Sequence, residues 1–224
     1  MVILQNLQTK KKFLMGKMKA VVLLSGNGSN FKNILDRIKD GYLNMEICAV
    51  ISDNEKAYGL QRAKDENIKT FSLKDNINDD LNKFLDKIDL DLIILAGYMK
   101  ILPPDIVDKY NGKILNIHPS LLPKYKGMNT HQRVIEDKES FHGATVHFVT
   151  DKLDGGPLIL QQKISVDAKD TAETLKEKVH CAEYSIYPLV IKWYIDGLLE
   201  QSENNFLFKG EKIESPIQDI SNIK

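Results

Sequence analysis

Between Lys19 and Ile117, short and almost wholly apolar runs alternate with segments of helical periodicity. That alternation restricts the fold more than any other feature of the chain. Lys19-Ala-Val-Val-Leu-Leu-Ser25 is a β-branched run followed by glycine, and Ile47–Ile51, Thr70–Phe71, Asp91–Ala96 and Lys113–Ile117 repeat the pattern. Between them, Phe31, Ile34, Leu35 and Ile38 carry the spacing of a helix over Phe31–Lys39, with Gly41 closing it. Ala57–Glu66 and Asp79–Ile88 read as further helices, and Pro103-Pro104 opens a short one, where proline is tolerated in a first turn. Strands that are apolar on both faces imply a parallel sheet covered on both sides, an α/β, Rossmann-like arrangement with flanking helices. Such sheets bind ligands beyond the carboxyl ends of their strands. Gly26–Asn30, Gly97–Leu102 and His118–Pro123 are therefore expected along one rim.

The later part of the chain changes pattern. Gly143–Thr150 and Pro157–Val166 read as antiparallel strands around the turn Asp154-Gly155-Gly156. Asp170-Thr-Ala-Glu173 has the form of a capping box that opens a long helix. Leu175, Val179, Ala182 and Ile186 supply its apolar face, Pro188 is placed to kink it and Gly197 to end it. The expected organisation is an extension over 1–18, one domain over 19–200, and a tail over 201–224 with a short hairpin near Phe206–Ile213. The extension carries Lys10, Lys11, Lys12, Lys17 and no acidic residue, and lacks the apolar core and cleavage site of a secretory signal.

Lys+Arg and Asp+Glu are both 31, so the formal net charge is zero and no global field favours nucleic acid or a membrane. Cys48 and Cys181 have no zinc-like spacing and are expected as reduced, buried thiols.

Three constellations can carry chemistry. Ser25-Gly-Asn-Gly-Ser-Asn30 joins a strand to a helix, where glycines let the backbone approach an anion and free amides point at it. It is neither a full dinucleotide fingerprint nor a Walker loop. Asn116-Ile-His118 ends a strand, so its amide and imidazole project to one side, and Pro119 and Pro123 stiffen the loop beyond it. An amide donor and an imidazole aimed at one point can stabilise an oxyanion or move a proton. Asp154, beside two glycines, is either a turn residue or the carboxylate that favours a charged His118.

Together these motifs give a resemblance that runs from about Lys19 to Gly197. Ser25-Gly-Asn-Gly-Ser-Asn30, Leu95-Ala-Gly-Tyr-Met99, Leu115–Tyr125 and His147–Gly156 are similar, in order and spacing, to those of the glycinamide ribonucleotide formyltransferases. The resemblance implies that Asn116, His118 and Asp154 are catalytic. It implies that Gly28, Ser29 and Asn30 hold a substrate phosphate and that Glu183 contacts ribose hydroxyls. Met99, Lys100, Ile101 and Leu102, with Asn116 and the Val149–Asp154 loop including Asp151, would form the folate site. The implied reaction moves a formyl group from 10-formyltetrahydrofolate, a cosubstrate, to glycinamide ribonucleotide in purine synthesis, with no metal. The enzyme would be cytoplasmic, a monomer or homodimer, with no nucleic-acid or membrane partner. Lys100 stands where arginine is common, which keeps charge but loses the planar fork. Asn129 replaces a frequent histidine, and an expected folate-contacting arginine has only Lys74 as a nearby substitute.

Rival readings are weaker. Methionyl-tRNA formyltransferases carry an extra C-terminal domain, and formyltetrahydrofolate hydrolases an extra N-terminal one. Sugar-nucleotide formyltransferases remain open, although Gly28-Ser-Asn30 favours a monophosphate. A non-catalytic binding module would be expected to lack Asn116, His118 or Asp154.

Overall fold

The computed structural model describes residues 16–73, 77–202 and 205–218. Its strands are β1 (Met18–Leu24), β2 (Met45–Ser52), β3 (Thr70–Ser72), β4 (Leu92–Leu95), β5 (Ile114–His118), β6 (Phe141–Phe148), β7 (Leu158–Ser165), β8 (Leu199–Ser202), β9 (Asn205–Phe208) and β10 (Glu211–Lys212). Its helices are α1 (Ser29–Lys39), α2 (Tyr58–Asp65), α3 (Ile77–Leu85), α4 (Pro104–Lys109), α5 (Thr130–Glu136) and α6 (Ala172–Ile195).

The first seven strands form one sheet in the order β3-β2-β1-β4-β5-β6-β7. The pairs from β3 to β5 are parallel, whereas β5–β6 and β6–β7 are antiparallel. This is the Rossmann-like, mostly parallel sheet with an antiparallel C-terminal part that the alternation implies. Its apolar strands are double-sided. Ala20, Val22 and Leu24 pack into the core beneath α1 and α6, while Val21 and Leu23 pack into the core beneath α3 and α4. Full burial of each Val or Leu among them stabilises the fold by ~1.5–3 kcal/mol.

Strand order reverses direction between β1 and β4, and the crevice at such a switch point is where ligands bind. The rim is stitched there by backbone. Ser25 N–H donates to the Gly97 carbonyl at 3.0 Å, and Met99 N–H donates to Ser25 Oγ at 2.8 Å. Beneath the rim, the Tyr187 hydroxyl of α6 shares its one proton between the carbonyls of Leu95 (2.9 Å) and Leu115 (3.0 Å). It thereby ties the end of β4 to β5, next to Asn116.

Several local expectations shift. The cap of α6 is Thr171, paired with Thr174, one residue later than the Asp170–Glu173 box. The Asp170 carboxylate instead accepts from Asp167 N–H and Thr174 Oγ. The helix continues through Pro188 to Ile195. Helix α5 has no counterpart in the sequence reading, because only Thr130 and Val134 of its seven residues are buried and no apolar stripe marks it. Both cysteines are free, but Cys48 is half-buried and Cys181 is exposed on α6, so the expectation of two buried thiols fails. The hairpin near Phe206–Ile213 is part of a three-stranded antiparallel sheet, β10-β9-β8, whose first strand spans the expected 200/201 boundary. Phe206 packs on Phe148 with ring centroids 4.2 Å apart, and Ile217 bridges Leu160 on β7.

Candidate active site

Strand β5 carries Asn116 and His118 to the rim on one face, two residues apart. Strand β6 lies antiparallel to it and sets His147 directly opposite Asn116. The chain then turns back through Asp154 into β7. Gly156 makes that return possible, since a Cβ there would run into the Phe148 carbonyl. Asp154 itself sits at φ 45°, a left-handed conformation that short polar side chains tolerate best. Residues 36 positions apart in sequence thus meet: His118 Nδ1 lies 3.4 Å from Asp154 Oδ2, and both side chains are buried.

Hydrogen bonds fix the orientation of each group. Asp154 Oδ2 also accepts from the Gly127 N–H at 2.8 Å, which anchors the loop after β5. His118 Nε2 lies 2.9 Å from the Tyr125 carbonyl, which can only accept, so this nitrogen carries a proton. The other ring nitrogen, Nδ1, faces the Asp154 carboxylate. His147 behaves oppositely. Its Nδ1 donates to the Phe148 carbonyl at 2.7 Å, which leaves Nε2 as an acceptor for Asn116 Nδ2 at 3.0 Å. Burial holds the His147 pKa below the usual histidine range and so keeps that acceptor free. One N–H of the Asn116 amide is therefore committed to His147, and the second is available to the cleft. His147 lies inside the His147–Gly156 motif, and only its cross-strand pairing with Asn116 marks it as a candidate site residue.

Beside the trio lies an open slot. Leu95, Leu102, Val107 and Val149 give it apolar walls, and Asn116, His147 and Asp154 stand at one end. Of the residues expected to wall a folate site, Lys100, Ile101, Leu102, Asn116, Val149, Asp151 and Asp154 line it. Met99 does not line it and is largely exposed. Lys74 lies outside the described residues. His118 is not on the slot's surface either. It stands behind Asp154, with Tyr125 over its outer nitrogen. Two buried hydroxyls in the slot wall, Tyr98 Oη and Thr150 Oγ1, have no hydrogen-bond partner among the described residues. Burial pushes the Tyr98 phenol up to about 12, so it remains a donor. A slot with apolar walls and polar side chains at one end is the kind of place in which a small molecule is held and oriented.

The second half of the rim is the Gly26–Asn30 loop. Gly28 caps α1 at φ 68° without a side-chain hydrogen bond, and no acidic residue lies in the first turn. The amides at the start of α1 are free to meet an anion. Asn30 Nδ2 donates to Glu183 Oε2 at 3.0 Å across to α6, and the buried Asn30 Oδ1 has no partner among the described residues. Glu183 is buried, and loss of hydration raises its pKa to about 7, with the Asn30 bond pulling the other way. A vicinal pair of hydroxyls offers two donors to the adjacent acceptors Asn30 Oδ1 and Glu183.

A Rossmann-like sheet that brings a glycine-rich loop, an amide donor and a His–Asp pair to one rim is a frame suited to group transfer. The chain belongs to the formyl transferase family, whose model matches residues 18–191. Within that family it is 44% identical to the phosphoribosylglycinamide formyltransferase of Haemophilus influenzae, over 87% of this chain and 95% of that protein. It is 43% identical to the enzyme of the same name from Escherichia coli, over 88% of this chain and 96% of the other. The solved phosphoribosylglycinamide formyltransferase of Coxiella burnetii superposes with a TM-score of 0.82 at 44% identity, covering 88% of this chain and 95% of that one.

Proposed function

We propose that the chain transfers the formyl group of 10-formyltetrahydrofolate to the amine of glycinamide ribonucleotide, with Asn116, His118 and Asp154 as the catalytic groups. The observation that carries the reading is that the Asn116 amide and the Asp154 carboxylate, itself paired with buried His118, meet at one end of a slot on the rim. The substrate amine attacks the formyl carbon and forms a C–N bond, and negative charge collects on the formyl oxygen. The uncommitted N–H of Asn116 stabilises that charge, and His118 joins it where the formyl oxygen displaces the Tyr125 carbonyl from Nε2. Asp154 takes the proton released by the attacking nitrogen and delivers it, through water, to folate N10 as the N10–carbon bond breaks. Gly28, Ser29 and Asn30 hold the phosphate, and Glu183 accepts from the ribose. Lys100, Ile101, Leu102, Val149 and Asp151 wall the folate. Met99, exposed beside the slot, contributes only at its mouth. The enzyme works in the cytoplasm as a monomer or homodimer, which light scattering on the purified protein distinguishes.

Purified protein given 10-formyltetrahydrofolate is expected to release tetrahydrofolate only when glycinamide ribonucleotide is added. Equal release in water alone would instead mark a hydrolase.

The geometry has kinetic consequences at two further residues. Above pH about 7 the Glu183 carboxylate is ionised, and below it one oxygen carries a proton and repels a hydroxyl donor. KM for glycinamide ribonucleotide is expected to fall as pH rises through about 7, and the Glu183→Gln variant to lose that dependence. An identical KM profile in both proteins removes Glu183 from the ribose site. His147→Leu frees the Asn116 amide to rotate and is expected to lower kcat by about tenfold with little change in either KM. Unchanged kcat would mean that Asn116 is oriented by something else.

A further inference from the structure

An anion site must present donors and turn its acceptors away, and the Gly26–Asn30 loop achieves this through helix α2. Gly59 N–H donates to the Gly26 carbonyl at 3.0 Å. Gly28 lies so close to Gly59 that a Cβ on it would come within 2.8 Å of the Gly59 Cα. Between them, Arg62 takes both acceptors of Asn27: Nε donates to the backbone carbonyl at 2.9 Å, and Nη2 to Oδ1 at 3.2 Å. The guanidinium is held in place by the ring of Tyr58, 4.7 Å away. Every loop residue from Gly26 to Gly28 therefore rests on α2, and Arg62 holds the middle one with two prongs.

We infer that Arg62 is a positioning residue for phosphate recognition: its planar fork keeps the Asn27 oxygens off the anion so that the amides of Gly28, Ser29 and Asn30 face it. This rests on the reading of that loop as the phosphate site. The fork matters more than the charge, because a lysine at 62 keeps a cation but cannot span two acceptors in one plane. The effect falls on binding of the phosphorylated substrate, because Arg62 reaches neither Asn116, His118 nor Asp154.

The test compares wild type, Arg62→Lys and Arg62→Ala in KM for glycinamide ribonucleotide, KM for 10-formyltetrahydrofolate, kcat, and inhibition by ribose 5-phosphate against ribose. Both variants are expected to raise KM for the ribonucleotide and Ki for ribose 5-phosphate together by about tenfold. The folate KM and kcat are expected to move less than about threefold. If Arg62→Ala fails to fold, Arg62→Lys carries the same prediction alone. Unmoved constants, a Ki for ribose 5-phosphate that stays put while KM rises, or an equal rise in both substrates' KM each overturn the inference. If wild type binds ribose 5-phosphate no better than ribose, the phosphate reading itself falls, and the role of Arg62 with it.

Discussion

Asp154→Asn is expected to lower kcat for formyl transfer by ~10²–10⁴-fold and to move either KM by less than about threefold. The substitution is nearly isosteric. The asparagine Oδ1 can still accept from Gly127 N–H, so the loop after β5 keeps its anchor. The loss is chemical. The amide cannot take a proton from the attacking nitrogen, and it no longer places a negative charge 3.4 Å from His118 Nδ1. Steady-state kinetics with a thermal melt separates the cases. A melt close to wild type with turnover reduced by at least two orders of magnitude is the expected pattern. Turnover within tenfold of wild type would remove Asp154 from the chemistry.

Asn116→Ala is expected to cost ~10²–10³ in kcat, the usual loss for one oxyanion donor. The amide has two N–H groups, and His147 Nε2 occupies one of them at 3.0 Å. The remaining N–H is thereby aimed before the substrate arrives, which is where such a donor gains its strength. Truncation removes it and leaves the buried His147 Nε2 without a partner, so a modest loss of stability, ~1–3 kcal/mol, accompanies the kinetic effect. Single-turnover rates with both substrates saturating isolate the chemical step. A normal single-turnover rate, with the defect confined to KM, would make Asn116 a binding group only.

The parallel half of the sheet was legible because Val21–Leu24 and Ile93–Leu95 are buried on both faces, so their runs contain no polar residue to confuse the period. The rim came from topology, and the anion loop from its glycines. His147 was harder to see. It alternates with Val146 and Phe148, is as buried as they are, and gains meaning only from its cross-strand neighbour Asn116, which no local pattern reveals. The cap of α6 lies one residue later because Asp170 and Thr171 both suit a helix start, and the Asp170 carboxylate is taken by Lys178, Asp167 N–H and Thr174 instead. Cys181 lies next to Ala182 in the helix, yet a step of about 100° around the axis takes it from the buried face to the exposed one, which composition alone cannot say. The position of His118 behind Asp154, with Tyr125 over it, depends on how the 119–128 loop folds back and has no signature in the motif.

The single-turnover rate of the double variant Asn116→Ala/Asp154→Asn, measured beside the two single variants, asks whether these groups act together on one transfer of a formyl group. Groups that serve one transition state are strongly non-additive, so the double variant should be within about tenfold of the slower single variant. A rate equal to the product of the two separate losses would mean that the amide and the carboxylate act independently, and would contradict a shared site.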